Sequence, residues 1–317
     1  MKKIVLLALC VLALAGSIWA AGGGQSAAAA GGGIRIALIT MDYQDEHWLK
    51  LTMGAQDKAR ELGGNIDVTW LAPQMGKRDV ASQLQLIEDS ITKRVDAIMI
   101  APLDYNALVP GIERAHQAGI KVVLVDSGAN TQRWDSFLFT DNAAAARLAA
   151  DEMAKLINSR GKVAIINAQP GAGTTMTREN EFKAQMAEKY PNITIVGTQY
   201  SDGDNTRALN QATDFMTANP DLAGIYACNE GATVGAGMGV EQAGKGGQVH
   251  LVGWDWTANT LGLVQRGILD ASMVQNPYQM GYKGVQAAVD LVQGRSVARE
   301  IDTGVTVANR GNASSIQ

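Results

Sequence analysis

Cysteine is almost missing from this chain, with Cys10 and Cys228 the only two. Cys10 falls in an apolar leader, so a processed chain keeps one thiol and can form no intramolecular disulfide. Its stability must then come from buried apolar surface. Histidine is nearly as scarce, at three residues. His116 sits in a helical pattern and His250 in a strand-like one, so both read as structural. No paired Cys/His spacing offers a metal site, and neither a G-x-S-x-G elbow nor a P-loop lysine occurs. "PGAGTTMT", residues 170–177, looks like part of a phosphate loop but lacks the Gly-Lys-Ser/Thr ending. It reads as a glycine-rich loop leading to the helix that carries Arg178. No catalytic residue, metal or cofactor is therefore assigned, and an enzyme is the remote alternative. Runs of Lys or Arg are also absent and the formal net charge is −4, which argues against nucleic acid as a partner. Beyond the leader, no apolar stretch approaches the roughly 20 residues that span a membrane.

What is present begins with "MKKIVLLALCVLALAGSIWAAGGG": two lysines, an apolar run from Ile4 to Leu14, then small residues. That order is a secretory signal peptide, residues 1–21, with cleavage near Ala20 or Ala21. Cys10 lies too early in the apolar run to suit lipidation, although tethering stays open. Residues 22–33 are nearly all Gly and Ala and read as a flexible linker. The rest of the chain is long enough for two cores, since single cores stop growing near roughly 250 to 300 residues.

From Ile34 onward, short apolar runs alternate with amphipathic ones. "IRIALIT", "IDVTWLA", "VDAIMIAP", "IKVVLVD", "KVAIINA", "ITIVGTQY", "AGIYACN", "VHLVGWD" and "DASMVQ" are unbroken and rich in Val and Ile, as strands covered on both faces are. In "HWLKLTMGAQDKARELGG" the residues Trp48, Leu51, Ala55, Ala59 and Leu62 recur at helical steps, and Gly63 and Gly64 supply the stop. Asp141 and Asn142 are candidate caps for the helix after them. Such alternation predicts parallel α/β sheets, and the pattern restarts near Gly161, so two doubly wound parallel-sheet domains follow. Ligands in such folds bind beyond the carboxyl ends of the strands. Asp126, Asn229, Asp255 and Gln275 all stand there. A single Asp or Asn after a strand is commonly a helix cap. Four polar groups at equivalent ends argue for a shared cleft.

"IALITMDYQDEHWLKLTMGAQDKARELGG", "AGIKVVLVDSG", "FTDN", "TRENEF", "TANPDLAGIYACNE", "LVGWDWT" and "ASMVQNPYQMGYKGVQAA" together resemble the periplasmic sugar-binding proteins of the ribose and galactose type, the type I solute-binding proteins of ABC importers. The resemblance runs from about Ile34 to Val307. It implies a ligand-binding domain over 34–140 plus 276–304, a second over 141–275 plus 305–317, and a three-segment hinge that closes on a ligand. It also implies sugar contacts at Asp126, at Arg178 four residues ahead of Phe182, at Asn229, Asp255 and Gln275, with Trp48 stacking and Asp45 and His47 beside it. A membrane permease would be the protein partner, the receptor a monomer outside the cytoplasm, and no cofactor is required.

Chemistry supports that set independently of the resemblance. Sugar hydroxyls donate and accept, so carboxylates, amides and an arginine fork complement them, while indole rings suit the apolar C–H faces. Ser127 also joins the set as a departure, because ribose receptors have an arginine after the fourth-strand acid. Gly203 stands where they have an aromatic. Both changes point to a hexose or hexose derivative over ribose, with Trp256 and Asp204 expected to refill the space. A polyol, an autoinducer or a nucleoside on the same fold is the alternative ligand.

Overall fold

The computed structural model describes residues 33–73 and 79–316. Residues 1–32, where the signal peptide and nearly all of the linker are expected, lie outside the described residues. The first lobe is built from β1 (Ile34–Ile39), α1 (Glu46–Leu62), β2 (Ile66–Leu71), α2 (Val80–Thr92), β3 (Ala97–Ile100), α3 (Val109–Gln117), β4 (Lys121–Val125) and β5 (Ser136–Phe139). The second lobe follows as α4 (Asn142–Leu156), β6 (Gly161–Asn167), α5 (Gly173–Lys189), β7 (Ile193–Tyr200), α6 (Asn205–Ala218), β8 (Leu222–Ala227), α7 (Glu230–Gln242), β9 (His250–Trp254), α8 (Ala258–Gln265) and β10 (Ala271–Val274). The chain then returns to the first lobe with α9 (Pro277–Val292) and β11 (Glu300–Asp302), and ends in the second with β12 (Thr306–Asn309).

Two six-stranded sheets result, ordered β11-β5-β4-β3-β1-β2 and β12-β10-β9-β8-β6-β7. All nine apolar runs read from the sequence are strands. The short β5, β11 and β12 were not among them: each has three or four residues, too few to show a period. One departure from a purely parallel fold appears at an edge, where β12 runs antiparallel to β10. Edge strands of this kind are common on otherwise parallel sheets.

Residues alternate between the two faces of each sheet. In β1, Ile36 and Leu38 enter the core under α1 and α9, while Ala37 and Ile39 enter the core under α2 and α3. In β6, Val163 and Ile165 take one face, and Ala164 and Ile166 the other. Burial of both faces explains why the runs carry no polar alternation. Helix α1 starts at the Asp45 cap, which accepts the His47 amide, and stops at Gly63 with φ +62°. It crosses α9 so closely that a Cβ on Gly54 would stand 2.0 Å from the Tyr278 carbonyl oxygen, and one on Gly281 1.9 Å from that of Leu51. Only glycine fits either position.

The lobes are joined at residues 140–141, 275–276 and 303–305. Two of these crossings are tied together: Thr303 N–H donates to Phe139 O at 2.7 Å and Asp141 N–H to Asp302 Oδ1 at 3.3 Å. The carboxyl ends of both sheets face the same space.

Candidate functional site

"LVGWDWT" shows how the sequence builds that space. Trp254 ends β9 fully buried on one face of its sheet, and Trp256 packs into the core on the other. Asp255 between them turns into the cleft with φ +72°. Asp126, after β4, has φ +62°, and β4 and β9 are each third in their sheet order. The two acids are thus matching residues of the two lobes. A non-glycine residue held left-handed costs on the order of 1–3 kcal/mol and persists only where its surroundings fix it. Aspartate is among the residues that tolerate it best.

Their surroundings do fix them. Asp255 Oδ1 accepts from Gln275 Nε2 at 2.8 Å, and its carbonyl accepts from the Ser272 hydroxyl at 2.7 Å. Asp126 Oδ2 accepts from Ser127 Oγ at 2.9 Å. His47, on the first turn of α1 and only 5% exposed, stands between them, with Nε2 3.0 Å from Asp126 Oδ1 and Nδ1 3.6 Å from Asp255 Oδ1. The Nε2–H is not directed along the Asp126 line, so that contact is a charge pair whose hydrogen-bond donor is left unused. Burial alone would lower the His47 pKa, but Asp126 and Asp255 outweigh it and hold it well above the ordinary value. Burial correspondingly opposes ionisation of both acids. His47 overcomes that opposition and, with Arg178, keeps each below the usual carboxylate range.

Arg178, on α5 and 2% exposed, is held from three sides. Nε donates to Asn142 Oδ1 at 2.7 Å, Nη1 to the Cys228 carbonyl at 2.9 Å, and the guanidinium lies 3.5 Å over the Trp254 ring. Below it, Trp254 Nε1 donates to Tyr226 OH, and Tyr226 stacks on Phe182 at 4.0 Å between ring centroids. Asn142 therefore orients Arg178, while Asp141 alone caps α4. Asn229 fills both roles that the sequence left open: its Oδ1 caps α7, and its buried Nδ2 remains without a partner.

All nine sequence-chosen residues, Asp45, His47, Trp48, Asp126, Ser127, Arg178, Asn229, Asp255 and Gln275, line one cleft. Buried polar atoms without hydrogen-bond partners gather in it: His47 Nε2, Trp48 Nε1, Thr175 Oγ1, Arg178 Nη2, Asn229 Nδ2 and Gln275 Oε1. Four N–H donors, a hydroxyl and an acceptor buried dry are costly unless a polar ligand meets them. A wider hollow at the opposite end of the first sheet, lined by Arg94, Asp96 and Lys121 among others, has no such convergence.

Sequence reading missed the residues that close the rim. Thr174 Oγ1 lies 2.6 Å from Ser127 Oγ across the lobes, Gln169 Nε2 donates to Leu103 O at 3.1 Å, and Tyr105 N–H donates to Gly171 O at 3.0 Å. Thr174 and Thr175 stand one helical turn before Arg178, a spacing that marks the same face of α5. The glycine-rich segment is thus the lip of the cleft, although α5 already begins within it at Gly173. Gly171, at φ +91°, leaves no room for a Cβ beside Asp104 Oδ2. Two further expectations do not hold. Asp204 caps α6 by accepting the Arg207 amide, and Trp256 lines not the cleft but a hollow at the hinge that adjoins it at His47, Asp255 and Gln275. Gly203 is pressed against Gly231, so neither it nor Asp204 shapes the cleft wall.

Two doubly wound lobes, three crossings and a polar cleft between the strand ends define a type I periplasmic binding protein fold. A family model described as the periplasmic binding protein domain matches residues 36–296, and the chain belongs to that family. The chain is 32% identical to the D-allose-binding periplasmic protein of Escherichia coli over 265 residues, 80% of this chain and 83% of that one. It is 30% identical to the ribose import binding protein of Salmonella typhimurium over 262 residues, 83% of this chain and 86% of the relative. Among solved structures, an ABC transporter solute-binding protein of Agrobacterium vitis with bound D-fucose superposes with a TM-score of 0.85 at 36% identity, covering 88% of this chain and 96% of that one.

Proposed function

We propose that this protein is an extracytoplasmic receptor of an ABC sugar importer, which captures one monosaccharide between its lobes and presents the closed form to a membrane permease. The observation that carries the reading is the set of six buried polar atoms without hydrogen-bond partners, contributed by both lobes, beside two ionised acids in one cleft. Asp45, His47, Trp48, Asp126, Ser127, Arg178, Asn229, Asp255 and Gln275 are the ligand contacts, with no catalytic role and no cofactor. Sheet membership supports ligand-binding domains over 34–140 plus 276–304 and 141–275 plus 305–317.

A hexose is favoured over ribose. Ser127 offers one short hydroxyl, already shared with Asp126 and Thr174. Relatives named for D-allose and D-fucose agree with a hexose-sized ligand, while one named for ribose keeps the pentose in contention. Calorimetric titration with D-allose, D-fucose, D-galactose, D-glucose and D-ribose tests the reading. At about 100 times its Kd, a true ligand adds roughly 2.7 kcal/mol to the folded state. Ribose binding tighter than every hexose overturns the preference. No binding and no shift in melting temperature with any of the five at millimolar concentration overturns the sugar reading itself.

A further inference from the structure

We infer that Thr175 is a specificity-determining residue of the cleft, whose hydroxyl acts with Arg178 Nη2 to select for one particular hydroxyl group of the bound sugar. The inference rests on the reading of the cleft as a sugar site and goes past the nine contacts assigned to it. Thr175 lines the cleft and is 8% exposed, and its Oγ1 is buried without a hydrogen-bond partner. Local structure explains why. A threonine inside a helix ordinarily satisfies its hydroxyl on the carbonyl four residues back, as Thr177 does on Gly173 O at 2.9 Å. For Thr175 that carbonyl belongs to Gly171, which precedes α5 and accepts instead from Tyr105 N–H of the first lobe at 3.0 Å. Thr174 has its hydroxyl occupied as well, by Ser127 Oγ at 2.6 Å and the Asp126 carbonyl at 3.4 Å. Thr175 alone of these three is left over. Its backbone is fixed from within the second lobe: Asn167, fully buried at the end of β6, donates from Nδ2 to Thr175 O at 3.3 Å and to Glu179 Oε2 at 2.7 Å.

Chemistry decides what this hydroxyl takes. Of the six partnerless atoms in the cleft, four belong to N–H groups that only donate, and Gln275 Oε1 only accepts. A hydroxyl does both. Arg178 Nη2, the free end of the guanidinium, comes from the same face of α5 three residues on, and side chains at that spacing are neighbours. A sugar hydroxyl seated between the two accepts from Nη2 and gives its own hydrogen to Thr175 Oγ1, so that both of its functions are used. A C–H group in the same place leaves a buried cation and a buried hydroxyl unpaired, which is costly. The pair therefore requires a hydroxyl at one position of the sugar and rejects the derivative that is deoxy there.

The test titrates wild type, Thr175→Val and Thr175→Ser with D-allose, D-fucose, D-galactose, D-glucose and D-ribose, and then with each monodeoxy derivative of whichever sugar binds most tightly. Valine keeps the shape and removes the hydroxyl, and serine restores it. Thr175→Val is expected to bind the parent sugar about fivefold to a hundredfold more weakly than wild type, yet to bind one deoxy derivative as well as wild type does. The penalty for deoxygenation then shrinks at a single position and is unchanged at the others, and Thr175→Ser returns it. A purely structural role would weaken every sugar alike. An equal loss with all derivatives, or parent affinity within about twofold of wild type, overturns the inference while leaving the cleft reading intact. In the free protein, Thr175→Val should leave the melting temperature unchanged or raise it, because it removes an unpaired buried polar group. A fall beyond about 3 °C would show that the hydroxyl has a partner inside the protein and overturns the inference as well. If none of the five sugars binds wild type, the cleft reading itself fails and takes this inference with it.

Discussion

The two walls of the cleft carry matching acids but are held differently. On the second lobe, Arg178 is bound by Asn142, Cys228 O and Trp254, and Asp255 by Gln275, all within that lobe or at its hinge. On the first lobe, Asp126 holds Ser127 and His47, and each of those two also reaches across: Ser127 to Thr174, His47 to Asp255. Arg178 and the Gln275 bond to Asp255 on the second wall are therefore in place before the lobes meet, whereas Ser127, His47 and the charge pairing of Asp255 are completed by their meeting. A prebuilt group loses little freedom on binding, whereas a group fixed only on closure draws on binding free energy to become ordered. Substitutions on the second wall should reduce affinity directly, and those on the first should act largely through the equilibrium between open and closed forms.

The largest expected effect is at Arg178. Arg178→Ala leaves Asn142 Oδ1 and the Cys228 carbonyl without their donor and bares the Trp254 ring. Breaking a buried, charge-assisted network typically costs about 2–5 kcal/mol, so the loss in affinity should be tens to thousands of fold. Lysine lacks the planar fork and should rescue only in part. An Arg178→Ala protein that binds D-allose or D-fucose within about threefold of wild type, near 0.65 kcal/mol, would break the comparison by showing that the prebuilt wall does not hold the ligand.

The paired acids come next. Both have folded-state pKa values below the ordinary range, because His47 and Arg178 outweigh the burial that opposes ionisation. The stability each contributes is present above its unfolded value of about 3.9 and is lost as pH falls through the lowered folded value. His47 has the opposite sign. Its contribution is complete below about 6.5 and fades as pH rises through its raised folded pKa. Asp255→Asn and Asp126→Asn should both bring the His47 pKa down, which NMR titration of the imidazole reads directly. Asp126 makes the shorter contact, so Asp126→Asn should have the larger effect. The reverse order would place His47 with the second lobe and redraw the two walls.

How far these walls could be read from sequence depends on how local each cause is. The strands and α1 were legible because burial of both faces leaves an unbroken apolar run, and a helix repeats its apolar stripe. Asp126, Asn229, Asp255 and Gln275 were legible because they follow such runs directly. The left-handed turn at both acids was not, since aspartate leaves no mark of its φ in the sequence. Thr174 and Gln169 become rim residues only when the two lobes, far apart in the chain, come together. Trp256 and Asp204 were misplaced for a related reason: proximity in sequence to the site suggested a role in it, whereas sheet alternation sends Trp256 to a core and the turn after β7 uses Asp204 as a cap.

The smallest expected effect isolates closure itself. Ser127 Oγ and Thr174 Oγ1 stand 2.6 Å apart across the rim, and both hydroxyls have a second partner at Asp126, Oδ2 for Ser127 and the carbonyl for Thr174. A neutral hydrogen bond contributes about 0.5–1.5 kcal/mol net. Ser127→Ala and Thr174→Val should therefore each weaken ligand binding by a few fold, since 1.4 kcal/mol is a factor of ten. The double variant decides between two origins of that loss. If the hydroxyls act through their mutual bond, the losses are less than additive, and the cycle returns a coupling of at least about 0.5 kcal/mol. If each acts on the ligand alone, the losses add. The coupling should appear in ligand affinity and in the ligand-induced compaction seen by small-angle scattering. It should be absent from the melting temperature of the free protein if that protein rests open, because an open rim has no Ser127 to Thr174 bond to lose.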